Sequence, residues 1–175
     1  MLIFTVKSDF MIEIFFKSKG HIVSSNSAAQ LEELGFDDVL WIDLFEPAGE
    51  EKRAVEDFLE TTLQSRAQAE EIESSSRYSE TDTAIFANTN FMIPGPDDYS
   101  MEGVSFIISE GILVTIRQAP LRTFTEMQRK VVLSYRLYPT GYHIMVAILE
   151  GRIDLDADMI ELMSKEIAQF NKRVS

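Results

Sequence analysis

From Thr140 to Arg173 the chain carries no proline, and its apolar residues fall into two seven-residue series. Ile153, Ile160 and Ile167 form one; Ile148, Leu155 and Leu162 form the other. On an α-helix, members of a series lie two turns apart, and the two series sit roughly 200° from each other. A helix apolar on opposite sides cannot lie on the surface of a monomer. It must be sandwiched or must pack on another subunit. Gly141 and Gly151 weaken the pattern only locally. The pattern reaches the last residues without a stop signal, so the chain is expected to be cut from something longer.

Ahead of this helix the periodicity is mostly that of strands. Leu2–Val6 and Phe10–Phe16 flank a Lys7-Ser8-Asp9 turn and read as a hairpin, and His21–Ser24 reads as a third short strand. Val39–Leu44 reads as a buried strand. Ala84–Ile93, Gly103–Ser109 and Ile112–Arg117 read as three more, the last two joined at a Glu110-Gly111 turn. Ser27 to Gln30 fits a capping box for a short helix stopping at Gly35. Gly49–Leu59 is amphipathic, with Val55, Phe58 and Leu59 on one face and acids in its first turn. Leu63–Ile72 and Leu121–Leu137 read as further helices. The order predicts an α/β (α+β) fold: a mostly antiparallel mixed sheet sandwiched between helices, ending in a long C-terminal helix. Residues 1–138 are expected to form the α/β domain, and 139–175 to begin a long helical region.

Charge narrows the functional classes. The net charge is −13, from 29 acids and 16 bases among 175 residues. A nucleic-acid interface needs a basic face, and an anionic membrane surface attracts basic segments; neither suits this chain, whereas cations and basic partners do. Twelve acids and four bases fall between Trp41 and Asp82, a net of −8. Without cysteine, thiolate metal sites and disulfides are excluded. The longest apolar run, Ile144 to Leu149, is far below the ~18 residues that span a bilayer, so the chain as given is expected to be soluble.

Catalytic constellations are missing: no glycine-rich phosphate loop, GxSxG elbow or HExxH occurs. His21 and His143 are far apart, and His143 lies among apolar helix residues and reads as packed. Trp41, Met145, Met159 and Met163 read as core. The chain is therefore not expected to be an enzyme. The exception to this bland inventory is Glu70-Glu71-Ile72-Glu73, followed by Ser74-Ser75-Ser76-Arg77 and a strand. Three carboxylates within four residues repel one another, so the cluster is either a solvated helix face or is held for a cation. Arg77 reads most simply as their counter-charge. Oxygen-only clusters select hard cations, and magnesium, which keeps most of its waters, needs only one or two carboxylates.

The run Trp41-Ile42-Asp43-Leu44, then an acidic amphipathic helix, then Glu70 to Arg77, then VSFIISEGILVTIR and VAILEGRID, resembles the cytoplasmic domain of CorA-type magnesium transporters. The resemblance covers about Leu31 to the C-terminus. It implies a sheet between helices at the cytoplasmic side of the cell membrane, within a homopentamer. Its stalk and membrane helices would lie outside this chain. It also implies that Glu71 faces an acid of a neighbouring subunit across a bridging magnesium, with Glu70 serving a nearby second site. Glu73 is carried as a further ligand from the same cluster. Such a site would bind magnesium only weakly in the isolated domain. Asp154 matches a recurrent acid of the family without an assigned role. Zinc-transporting relatives share this soluble part. Outside the family, the sequence also fits an acidic protein-interaction module without a metal, or, less well, a metal-dependent hydrolase.

Overall fold

The computed structural model describes residues 11–65, 67–69, 78–95 and 98–174. The predicted strand at residues 2–6 and its turn lie outside these. The described strands are β1 (Ile12–Ser18), β2 (His21–Ser25), β3 (Val39–Phe45), β4 (Tyr78–Glu80), β5 (Ile85–Pro94), β6 (Tyr99–Ser109) and β7 (Ile112–Arg117). The helices are α1 (Gly49–Leu59), α2 (Arg122–Leu133) and α3 (Gly141–Val174). The strands form one sheet in the order β2-β1-β3-β7-β6-β5-β4. Only β3 and β7 run parallel; every other neighbouring pair is antiparallel. Helices cover both faces, as the sequence pattern predicts.

The tight turns follow from their residues. Lys19 (φ 49°) and Gly20 (φ 81°) close β1 onto β2, and Glu110 (φ 52°) and Gly111 (φ 78°) close β6 onto β7. Two consecutive left-handed residues match the twist of a hairpin, and glycine supplies the second at no steric cost. Centrally placed β3, VLWIDLF, is buried on both faces, which is why it reads as a continuous apolar run rather than an alternating one.

Two apolar layers hold the helices. On one face Ile42, Leu44, Phe86, Ile107 and Val114 meet Val55 and Leu59 of α1. On the other, Phe15, Trp41, Phe91 and Phe106 meet Phe124, Met127 and Val131 of α2 and Ile144 and Ile148 of α3. Trp41 stacks on Phe15 at 4.8 Å between ring centroids and meets Phe124 at 6.0 Å. Arg152, from the VAILEGRID stretch, ties α3 to β5 by donating to Thr89 Oγ1 at 2.8 Å.

Several local expectations are corrected. Residues 28–33 form a single stretch of 3₁₀-helix, and Ser27 makes no side-chain cap bond; Gln30 instead donates to the Glu33 carboxylate at 3.3 Å. The helix expected from Leu63 is not formed at 63–65. The Leu63 N–H donates to Glu56 Oε1 (2.8 Å), and its side chain is buried. A helical turn starts only after Ser65, where Ser65 and Gln68 cap each other reciprocally. Helix α2 stops at Leu133, and 135–137 is a separate 3₁₀ turn. His143 is exposed, not packed, and shares a 2.9 Å hydrogen bond with Thr140 Oγ1 at the start of α3. Met163 is also exposed, while Met159 is buried.

Helix α3 has both apolar series, and within this chain only its first part is covered. Ile148 is fully buried, but Ile153, Ile160, Leu162 and Ile167 are each more than half exposed. No helix among the described residues is long and apolar enough to cross a membrane.

Candidate functional site

Glu70, Glu71 and Glu73, the predicted cation ligands, lie outside the described residues, as does Arg77. Their flanks are described. On one side is the helical turn 67–69, fixed by the Ser65–Gln68 box; on the other is β4, whose Tyr78 hydroxyl donates to the Glu80 carboxylate at 2.6 Å. Strand β4 is one edge of the sheet and, among the described residues, pairs with β5. Among the described residues, no group of three or more histidine or acidic side chains could hold a metal. Asp154 is exposed on α3.

The acidic group the sequence reading passed over is Asp43, embedded in β3 and 2% exposed. Parallel pairing of β3 with β7 sets Asp43 beside Thr115, with Arg117 one pleat further along the same face. Asp43 Oδ1 accepts from Thr115 Oγ1 at 2.8 Å, and Oδ2 accepts from Arg117 Nη2 at 2.8 Å and from Gln128 Nε2 of α2 at 3.0 Å. Arg117 Nε lies 3.2 Å from both carboxylate oxygens. Trp41 Nε1 extends the chain by donating to Thr115 Oγ1 at 2.9 Å. The guanidinium also donates to the Ala119 carbonyl at 2.8 Å and lies over the rings of Phe45 and Phe124. With its oxygens engaged by four donor nitrogens and oxygens, Asp43 is a structural group rather than a cation ligand. An isolated aspartate inside VLWIDLF is the signal that could have found it, since a buried charge needs a partner.

Glu13 stands directly across from Asp43 on β1 and is half-buried. Burial pushes its carboxyl above the ordinary value of 4.5; the Ser24 hydrogen bond opposes this, the Asp43 charge adds to it, and Arg117 opposes it. A carboxyl raised in the folded state binds a proton more readily there than when unfolded. Its contribution to stability is therefore fully present below pH 4.5 and is lost as pH rises through the folded value. Glu13→Gln is expected to raise the melting temperature at pH 7, with the gain shrinking to nothing below pH 4.5. Thermal melts across that range check this, and a gain independent of pH would contradict it.

Comparison with known proteins follows the same residues. Residues 36–175 match the family model described as CorA-like Mg2+ transporter protein. The Magnesium transport protein CorA of Wolinella succinogenes is 34% identical over 161 residues, covering 89% of this chain and 50% of that protein. The chain spans about half the length of the curated relatives it matches. The crystal structure of the ZntB cytoplasmic domain from Vibrio parahaemolyticus aligns over 90% of this chain and 64% of that one, with TM-score 0.58 and 19% identity. The soluble domain of CorA from Methanocaldococcus jannaschii aligns over 91% of this chain and 66% of that one, with TM-score 0.56 and 17% identity. These two likenesses concern the fold.

Proposed function

We propose, from the premise that this chain belongs to the family of CorA-like Mg2+ transporter proteins, that it is the N-terminal cytoplasmic domain by which such a transporter senses cytosolic magnesium. The observation that carries the reading is the family match over 36–175, which includes the whole Glu70 to Arg77 stretch. In this reading residues 1–138 are the sensing domain, and α3 leads on toward a stalk and membrane helices in a homopentamer. The exposed apolar series of α3 are then surfaces for those helices or for neighbouring subunits.

Glu71 supplies one wall of a site between subunits, assisted by Glu70 and Glu73, and an acid of the neighbour supplies the other. A magnesium ion, keeping most of its water, bridges the two walls. When cytosolic magnesium falls, the facing carboxylates lose their shared counter-ion and repel. The ion's higher affinity for the closed ring holds the population there, and its loss releases the population toward the open one. The ion that crosses the membrane is substrate, and this domain regulates its passage without performing chemistry on it.

The test is uptake by vesicles containing the protein that carries this chain. Magnesium uptake is expected, and it should fall as magnesium loaded inside the vesicles increases. Uptake of zinc but not magnesium would move the protein to the zinc-transporting branch. Transport indifferent to internal magnesium would remove the sensing role.

A further inference from the structure

Charge of opposite sign collects on the two sides of the sheet. Residues 28–60 hold eleven acids and two bases, whereas residues 121–148 hold one acid and four bases. The first stretch includes the 3₁₀ segment 28–33 and α1, packed on one face; the second includes α2 and the start of α3, packed on the other. A groove of about 670 Å³ lies between the 3₁₀ segment and α1. Ala29, Ala54 and Phe58 give it small or apolar walls, and the exposed carboxylates of Glu32, Glu50 and Asp57 border it. Phe36, 39% exposed, adds to the apolar surface by meeting the Phe58 ring edge-on at 5.3 Å. Arg53 also lines the groove, and its Nε donates to the Gly49 carbonyl at 3.1 Å.

The end of α2 has the complementary composition. Arg129 and Lys130 are exposed there, and Val132 and Leu133, three or four places further on, are their neighbours on the helix surface. The Ser134 N–H donates to the Lys130 carbonyl and the Leu137 N–H to the Ser134 carbonyl, both at 2.9 Å, so a 3₁₀ turn continues off the helix end. It brings Leu137 next in line. Leu133 is 75% exposed and Leu137 67%. The helix dipole accounts for bases in a last turn, but not for two uncovered leucines beside them. Apolar side chains bordered by bases suit an apolar groove bordered by acids. Because α1 and α2 lie on opposite faces of the sheet, one copy cannot bring its own two surfaces together.

We infer that these surfaces form one contact between copies of this chain. Leu133 and Leu137 of one copy enter the groove between the 3₁₀ segment and α1 of the next, with Arg129 and Lys130 set against Glu32 and Asp57. The contact is heterologous, the class from which rings and open chains are built. Its apolar patch is small and its ion pairs are exposed, each worth little alone, so isolated copies associate weakly. It uses neither Glu70, Glu71 and Glu73 nor the exposed apolar series of α3, and it stands or fails apart from the magnesium reading.

The experiment is sedimentation equilibrium of this chain up to millimolar concentration at physiological salt, where the parent is expected to associate as concentration rises. Two charge-reversed forms test the faces separately: Glu32→Lys with Asp57→Lys, and Arg129→Glu with Lys130→Glu. Each is expected to weaken self-association about tenfold, because attraction becomes repulsion at two pairs. In a mixture of the two forms every groove meets an α2 end of opposite sign, so association is expected to return. A form that had merely misfolded would not be rescued in this way. Leu133→Ser with Leu137→Ser, which alters no charge, should weaken association by a similar factor. A parent that stays monomeric throughout would overturn the proposal. So would reversed forms that associate as the parent does, which would assign the contact to α3, or a mixture that associates no better than its components.

Discussion

Gly141→Ala is expected to lower the stability of this chain by about 4 kcal/mol, a fall of roughly 8–16 °C in melting temperature for a chain of this size. Helix propensity alone predicts the opposite, since alanine favours a helix over glycine by about 1 kcal/mol. The sign is set by space. A Cβ on Gly141 would collide with Leu113 N and lie 2.7 Å from the Gly111 carbonyl oxygen and 2.8 Å from Ile112 C, all main-chain atoms of the β6–β7 hairpin. None of these can move as the end of a side chain could. The Gly141 N–H donates to that same Gly111 oxygen at 2.8 Å, so helix α3 begins in main-chain contact with the sheet. Forcing it away uncovers Ile144 and Ile148, both fully buried. Calorimetric melting checks this; an unchanged or raised melting temperature would show that α3 is not seated on the hairpin in this way.

The second large effect concerns Asp43. Asp43→Ala leaves the Arg117 guanidinium buried without its counter-charge, and breaking one partner of a buried pair costs about 3–5 kcal/mol. Thr115 and Gln128 lose their acceptor in the same step. Removing both charges should cost less than removing one. Asp43→Leu combined with Arg117→Met is therefore expected to be more stable than either single variant. Urea unfolding followed by the emission of Trp41, the one tryptophan of the chain, measures this, because its Nε1 is the far end of the same hydrogen-bonded chain. A double variant as damaged as the sum of the singles would contradict the coupling.

The elements most legible in the sequence are those whose stability is local. Helix α1, the hairpin at Glu110 and Gly111, and the long α3 are written in periodicity and turn residues, and they stand where those patterns place them. The features that the sequence hid depend on partners distant along the chain. Asp43 acquires a role only because β3 and β7 pair in parallel, bringing together residues separated by 72 and 74 positions. Strand β4 is three residues long and exists only as the edge of β5, so it carries no signal of its own. Leu63 reads as the start of a helix by composition, but burial of its side chain and its bond to Glu56 keep residues 63–65 out of helix. The acid cluster is the reverse case. Its residue types and its resemblance to the family were legible at once, while the second wall we propose for it belongs to a neighbouring subunit.

That intersubunit site is the central claim, and Glu71 is its most direct test. The measurement is magnesium uptake by vesicles loaded with graded internal magnesium, comparing the protein that carries this chain with its Glu71→Ala, Glu71→Lys and Glu80→Ala variants, with melting temperature as the folding control. Glu80, exposed on β4 outside the cluster, should respond like the parent. Glu71→Ala removes a ligand and should require more internal magnesium for the same inhibition. Glu71→Lys places a fixed positive charge where the ion would sit and should hold uptake low even without internal magnesium. Inhibition unchanged in both Glu71 variants would contradict the claim and leave the cluster a solvated acidic face.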